Sequence, residues 1–168
     1  RGHRLRIVEG ADSCSSETDG LLVGGHSGDD AWEGLNAVVA HDPRLSRRLR
    51  AFLTESEELI PAAVTALRHG DVAAFGQLVE RSQRNAETNL GNQIPETIRM
   101  VELARELGAL GATNFGAGFG GSVWALVKTA DAGGFATAWK QRYAAEFPET
   151  AARASTLVTQ LGGPARRL

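Results

Sequence analysis

The stretch Asn114–Lys128, NFGAGFGGSVWALVK, sets Gly116, Gly118, Gly120 and Gly121 directly ahead of an apolar run rich in strand formers. That order excludes several folds at once. Gly116, Gly118 and Gly121 satisfy G-x-G-x-x-G, the spacing of dinucleotide-binding loops. Such a loop needs a strand before it and a helix after it, because the helix N-terminus faces the pyrophosphate. Here a strand follows, and no acidic residue stands about 20 residues on in a second strand. Adding Val123 completes a protein-kinase-like pattern. Lys128 is on the same strand rather than the next one, however, and neither H-R-D nor D-F-G occurs. The pattern G-x-x-x-x-G-K-[ST] is absent too. Two physical readings remain open. Clustered glycines let successive N–H groups turn toward one concave point, which suits an anion, and let another backbone approach closely. They also serve a tight strand entry that needs positive φ.

Upstream, the apolar spacing is helical. Asp42-Pro43 supplies an N-cap and a proline at the first helical position. Leu45, Leu49, Phe52, Leu53, Leu59, Ile60, Ala63, Val64 and Leu67 then follow a helical period. Pro61 predicts a kink or break within it. Gly70 reads as a helix-ending glycine and Asp71 as the next cap. Val72, Phe75, Leu78, Val79, Ser82 and Ala86 share one face as far as Gly91. A third helix is predicted from Pro95 to the stop at Gly108. GAT at 111–113 reads as a strand end, and SVWALVK as a strand buried on both faces. Phe135–Tyr143 resumes helical spacing, ASTLVTQ is a final strand, and GGPARRL is a turn and tail. In residues 1–30, RLRIVE reads as a half-exposed strand. GADSCSSETDG is turn chemistry, LLVGG a second short strand and HSGDD a loop. This is an α+β order, with a small antiparallel or mixed sheet covered by helices.

A chain of 168 residues suggests one main domain and buries about 70% of its unfolded surface without a metal or disulfide. The net charge of −2 and the two separate Arg patches, Arg4/Arg6 and Arg47–Arg50, argue against a nucleic-acid surface. Cys14 is the only cysteine, which fits a reducing compartment. No apolar run reaches the roughly 18 residues of a membrane span. No secretory leader is legible, and the absent initiator Met suggests a piece of a longer protein. A cytoplasmic location is expected. His3, His26, His41 and His69 share no ligand spacing, so no metal site is expected. Glu55, Glu57 and Glu58 read as a solvated charge run, and Trp32, Trp124 and Trp139 as packing residues. No catalytic residue can be assigned.

Several ordered segments carry a family resemblance. NFGAGFGGSVWALV resembles the third motif of the GHMP kinases, most of all its galactokinase form, T-G-A-G-F-G-G before an apolar strand. Arg48–Gln83 resembles the family's R-H-V-x-x-E, A-L-x-x-G-D and F-G-x-L-M-x-x-S-H segments. Pro95–Ala112 resembles its C-P-E-L-D-x-L-V-E-x-A and G-A-R segments, and GGPARRL its closing tail. The resemblance spans Arg48–Leu168. Departures are Asn114-Phe115 for Met-Thr, Gln83 for His, and Gln93-Ile94 for Ser-Cys. The family's G-R-V-N-L-I-G-E-H-T-D-Y sugar motif and P-x-G-x-G-L-S-S-S-A phosphate loop do not occur in this sequence.

The resemblance implies a GHMP kinase C-terminal domain over 43–168, with a ferredoxin-like small antiparallel sheet covered by helices. Residues 1–42 would be a lead-in, partly mobile. The parent would be an ATP- and Mg²⁺-dependent kinase acting on a galactose-type monosaccharide, its catalytic N-terminal domain lying outside this sequence. The nucleotide-binding residues here would be Asn114, Gly116, Ala117, Gly118, Phe119, Gly120, Gly121 and Ser122. The isolated chain would be inactive. An apolar face including Phe119 would be exposed, and a homodimer could form across it. The alternative is a non-catalytic, galactokinase-like sugar-sensing or interaction domain.

Overall fold

The structure, a computed structural model, describes residues 4–9 and 29–160. The readings made for GADSCSSETDG, LLVGG and GGPARRL, and those for His3, Cys14 and His26, lie outside the described residues. Strand β1 is Arg4–Glu9. Helices α1 (Asp29–Val39) and α2 (Pro43–Leu53) follow, then a π-helical turn, Thr54–Leu59, and α3 (Ile60–Arg68). Helix α4 (Val72–Asn85) runs into a second π turn, Ala86–Leu90. Then come α5 (Pro95–Glu106), β2 (Gly111–Phe115) and β3 (Ser122–Val127). After a short 3₁₀ turn, α6 (Ala132–Glu146), α7 (Pro148–Ala151) and β4 (Ser155–Gln160) complete the described chain. Read as β-α-β-β-α-β, with the first crossover expanded into five helices, this is the ferredoxin-like element order. None of the helices described is long and apolar enough to cross a membrane.

The sheet order is β2-β3-β1-β4. The antiparallel sheet expected from the resemblance is the β2–β3 pair, with Asn114 opposite Val123 and Phe115 opposite Ser122. Strand β1 extends it by parallel pairing to both β3 and β4, so the four-stranded sheet is mixed. The lead-in drawn at 1–42 thus supplies a central strand. Asp29 and Asp30, read as loop, open α1 instead.

The helix punctuation follows local chemistry. The Asp42 carboxylate accepts the N–H groups of Arg44 (2.8 Å) and Leu45 (3.2 Å). These bonds, Leu45 first, hold its carboxyl below the usual carboxylate range. Asp71 caps α4 by accepting the Ala74 N–H at 2.9 Å. Pro61 does not break its helix. It sits at the second position of α3, and the turn before it widens so that the Ile60 N–H reaches Glu55, five residues back. A proline ring presses on the carbonyl one turn earlier, and a wider π turn accommodates it.

The core lies where α5 and α6 meet the sheet. Met100, Leu103 and Ala104 pack with Val123, Ala125, Phe135, Trp139 and Tyr143. The Trp139 indole N–H is satisfied by the Met100 carbonyl at 2.9 Å. Strand β3 is buried at Val123 and throughout Ala125–Val127, as its unbroken apolar run predicts. The apolar period of 45–67 is only partly core. Leu59 and Ala66 are buried, while Leu45, Phe52, Ile60 and Leu67 stay exposed, although the Trp32 ring of α1 lies 6.2 Å from that of Phe52.

Candidate functional site

The glycine segment closes the β2–β3 hairpin. Asn114 is the fourth residue of β2, Ser122 opens β3, and Gly116–Gly121 form the turn between them. The backbone is left-handed at Gly116 (φ 86°) and then at four residues in succession, Gly118 (80°), Phe119 (58°), Gly120 (99°) and Gly121 (106°). Phe119 is the one non-glycine among the described residues with positive φ, and its side chain is 70% exposed. An L-residue in this region costs roughly 1–2 kcal/mol.

Two amide side chains hold the turn. The Asn92 carbonyl accepts the Phe119 N–H, and the Asn92 side-chain amide donates to the Ala117 carbonyl at 2.9 Å. Gly118 lies against Asn92 so closely that a Cβ there would stand 2.5 Å from Nδ2 and 2.7 Å from Cγ. At the base, the Gln83 side-chain oxygen accepts the Asn114 N–H at 2.9 Å and the Thr113 hydroxyl at 2.8 Å. Gln83 in turn donates to Glu87 at 2.8 Å.

Beside the turn lies a cleft of about 540 Å³, walled by Arg48, Phe52 and Glu55 on one side and by Asn92, Asn114 and Gly116 on the other. Glu55 is not part of a solvated charge run. It is half-buried and accepts from Ser82 (3.1 Å) and from buried Asn85 (3.0 Å), because the π turn rotates it toward α4. Glu58 does face solvent, paired with Arg81 at 3.1 Å. Arg48 and Glu55 both line this cleft, and Arg48 has no ion pair among the described residues. Among the described residues no group of three His, Cys, Asp or Glu side chains could hold a metal ion.

Residues 63–145 match the family model for the C-terminal part of GHMP kinases. The chain therefore carries a GHMP kinase C-terminal domain. That span runs from α3 into α6 and contains the glycine turn, Gln83 and Asn92, whereas Arg48 and Glu55 precede it. A galactokinase of Thermococcus kodakarensis is 37% identical over 108 residues, which is 64% of this chain and 31% of that protein. One from Exiguobacterium sibiricum is 37% identical over 111 residues, 66% of this chain and 28% of that protein. The crystal structure of Lactococcus lactis galactokinase complexed with galactose superposes with a TM-score of 0.64 at 27% identity. That match covers 74% of this chain and 32% of the other. The chain thus spans about a third of the length of these relatives.

All eight residues assigned to the GHMP motif from sequence fall together at the hairpin turn, with Asn114 and Gly116 also lining the cleft. Asn92, Asn85 and Glu55 were not among them. No local pattern marks Asn92, because its side-chain partner Ala117 is 25 residues away.

Proposed function

We propose that this chain is the C-terminal part of an ATP-dependent sugar kinase of the galactokinase type. Its turn, Asn114 to Ser122, would form one wall of the site for the nucleotide phosphates. The observation that carries this reading is the run of four left-handed residues, Gly118–Gly121, beside a cleft lined in part by Arg48, Asn92 and Asn114, in a domain 37% identical to a galactokinase over 108 residues. The turn fits such a ligand. Gly116 has no described protein atom within 4 Å of the space a Cβ would take, which leaves room for a phosphate to approach the backbone there. Bound ATP would supply the transferable phosphoryl group, with Mg²⁺ accompanying its phosphates. This chain would contribute position and shape. The turn would set one boundary of the phosphate site, with Arg48 lining the cleft beside it.

The substrate would be a galactose-type monosaccharide, and a catalytic N-terminal domain would cover the exposed Phe52, Phe115 and Phe119. Without it, that apolar face would favour self-association. A kinase of this class would work in the cytoplasm. The test is phosphoryl transfer from ATP to galactose and other aldohexoses, by the longer protein and by the 168-residue chain. Transfer by the longer protein alone is expected. Sugar binding without transfer would favour a sugar-sensing role, and activity of the chain by itself would contradict the proposal.

A further inference from the structure

Asn92 lies outside the core and outside every helix and strand, yet it is only 4% exposed. It sits in the connection between Gly91 and Pro95 and faces the glycine turn. Its backbone carbonyl takes the Phe119 N–H, and its side-chain amide reaches the Ala117 carbonyl at 2.9 Å. Its own Oδ1 is fixed by the Gln93 side-chain N–H₂ at 2.9 Å, which sets the amide orientation. Gln93 is itself anchored, accepting the Thr97 hydroxyl at 3.0 Å from the first turn of α5. One residue therefore grips the turn on both sides of Gly118, and a helix N-terminus braces that residue.

The physical need for such a grip is clear. Ordering a backbone costs roughly 1–2 kcal/mol per residue, and glycine loses the most freedom. A turn with four glycines in six residues has no side-chain packing of its own to offset that cost. A loop ordered only when a ligand arrives charges the cost to binding, whereas a loop already held does not.

We infer that Asn92 is a positioning residue that presets the glycine turn for an anionic ligand, taken on the kinase reading above to be the phosphates of ATP. It need not touch the ligand. The chemistry is specific to Asn. Asp keeps the shape and the bond from Gln93 but cannot donate to Ala117, and Ala loses both side-chain bonds.

The experiment has two arms. Amide hydrogen exchange in the 168-residue chain compares wild type with Asn92→Asp. Exchange at the Phe119 amide, which the Asn92 carbonyl holds, should quicken about tenfold or more, while the core amides of Val123 and Ala125 stay protected. Asn92→Ala gives the same reading should the Asp variant fail to fold. Unchanged exchange in the turn overturns the positioning role, whatever the protein's activity. In the longer protein, Asn92→Asp should raise KM for ATP about tenfold and leave KM for the sugar within twofold. Faster exchange with an unchanged KM for ATP overturns the link to the nucleotide. Wild-type protein that transfers no phosphate overturns the kinase reading, and the exchange arm then still decides whether Asn92 holds the turn.

Discussion

The carbonyl group of Leu110 occupies the space a Cβ on Gly76 would fill, with its carbon 2.8 Å from that position. Helix α4 therefore meets the start of β2 backbone to backbone. The Gly76 Cα in turn lies 3.1 Å from where a Cβ on Gly111 would stand. Seven residues along α4, on the same face, is Gln83, whose amide oxygen accepts the Asn114 N–H at 2.9 Å. The close approach at one end of the helix allows the hydrogen bond at the other, and that bond fixes the base of the glycine turn.

Gly76→Ala should accordingly destabilise the chain by about 1–3 kcal/mol, because helix and strand must separate to admit the methyl group. Urea unfolding measures this directly. An unchanged midpoint would mean that α4 can move off β2 freely.

Phe119→Gly should act in the opposite direction. The native φ of 58° is strained for phenylalanine, and the ring is too exposed to lose much packing. Relief of roughly 1–2 kcal/mol, less the entropy cost of a glycine, leaves a net stabilisation of up to about 1 kcal/mol. The melting temperature should rise by up to about 4 °C. A fall would show that the ring is held by contacts in the folded chain.

Acid should loosen the junction of α5 with α6. Arg99 bonds Glu146 (2.6 Å and 2.9 Å), Glu106 (2.8 Å) and Glu102 (3.0 Å), and Arg142 adds a second bond to Glu106 at 2.8 Å. The hydrogen bonds from Arg99 hold the carboxyls of Glu146 and Glu106 below their ordinary value of 4.5. A depressed folded pKa means that the stabilisation is complete above the unfolded value and disappears as pH falls through the folded one. Wild-type melting temperature should therefore drop below about pH 4.5, and Arg99→Met should flatten that part of the profile. These groups face solvent, so the difference should shrink in 1 M salt. A variant with the wild-type acid profile would contradict this assignment.

Much of the fold was legible because its signals are local. Asp42, Gly70, Asp71, Pro95 and Gly108 act through hydrogen bonds and dihedrals within a few residues, and each stands where its chemistry predicts. Strand β3 was readable from an apolar run that burial explains. The features that escaped are non-local. The bonds Asn92–Ala117, Asn85–Glu55 and Gln83–Asn114 join residues 25, 30 and 31 apart. Placing β1 between β3 and β4 depends on pairing across more than a hundred residues. Pro61 correctly signalled a disturbance, but the form it takes, a π turn that brings Glu55 toward the cleft, depends on α4 opposite. The glycine turn was found by composition, whereas the residue that holds it carries no signature.

The most direct test of the account is the rate of phosphoryl transfer from ATP to galactose in the longer protein carrying Gly118→Val. A valine at φ 80° is strained, and its Cβ would collide with the backbone and side chain of Asn92, so the turn cannot keep its shape. We expect kcat/KM to fall at least about tenfold, roughly 1.4 kcal/mol of transition-state stabilisation. Wild-type kinetics at unchanged stability would show that the turn is only a strand entry and would contradict its place beside the phosphates.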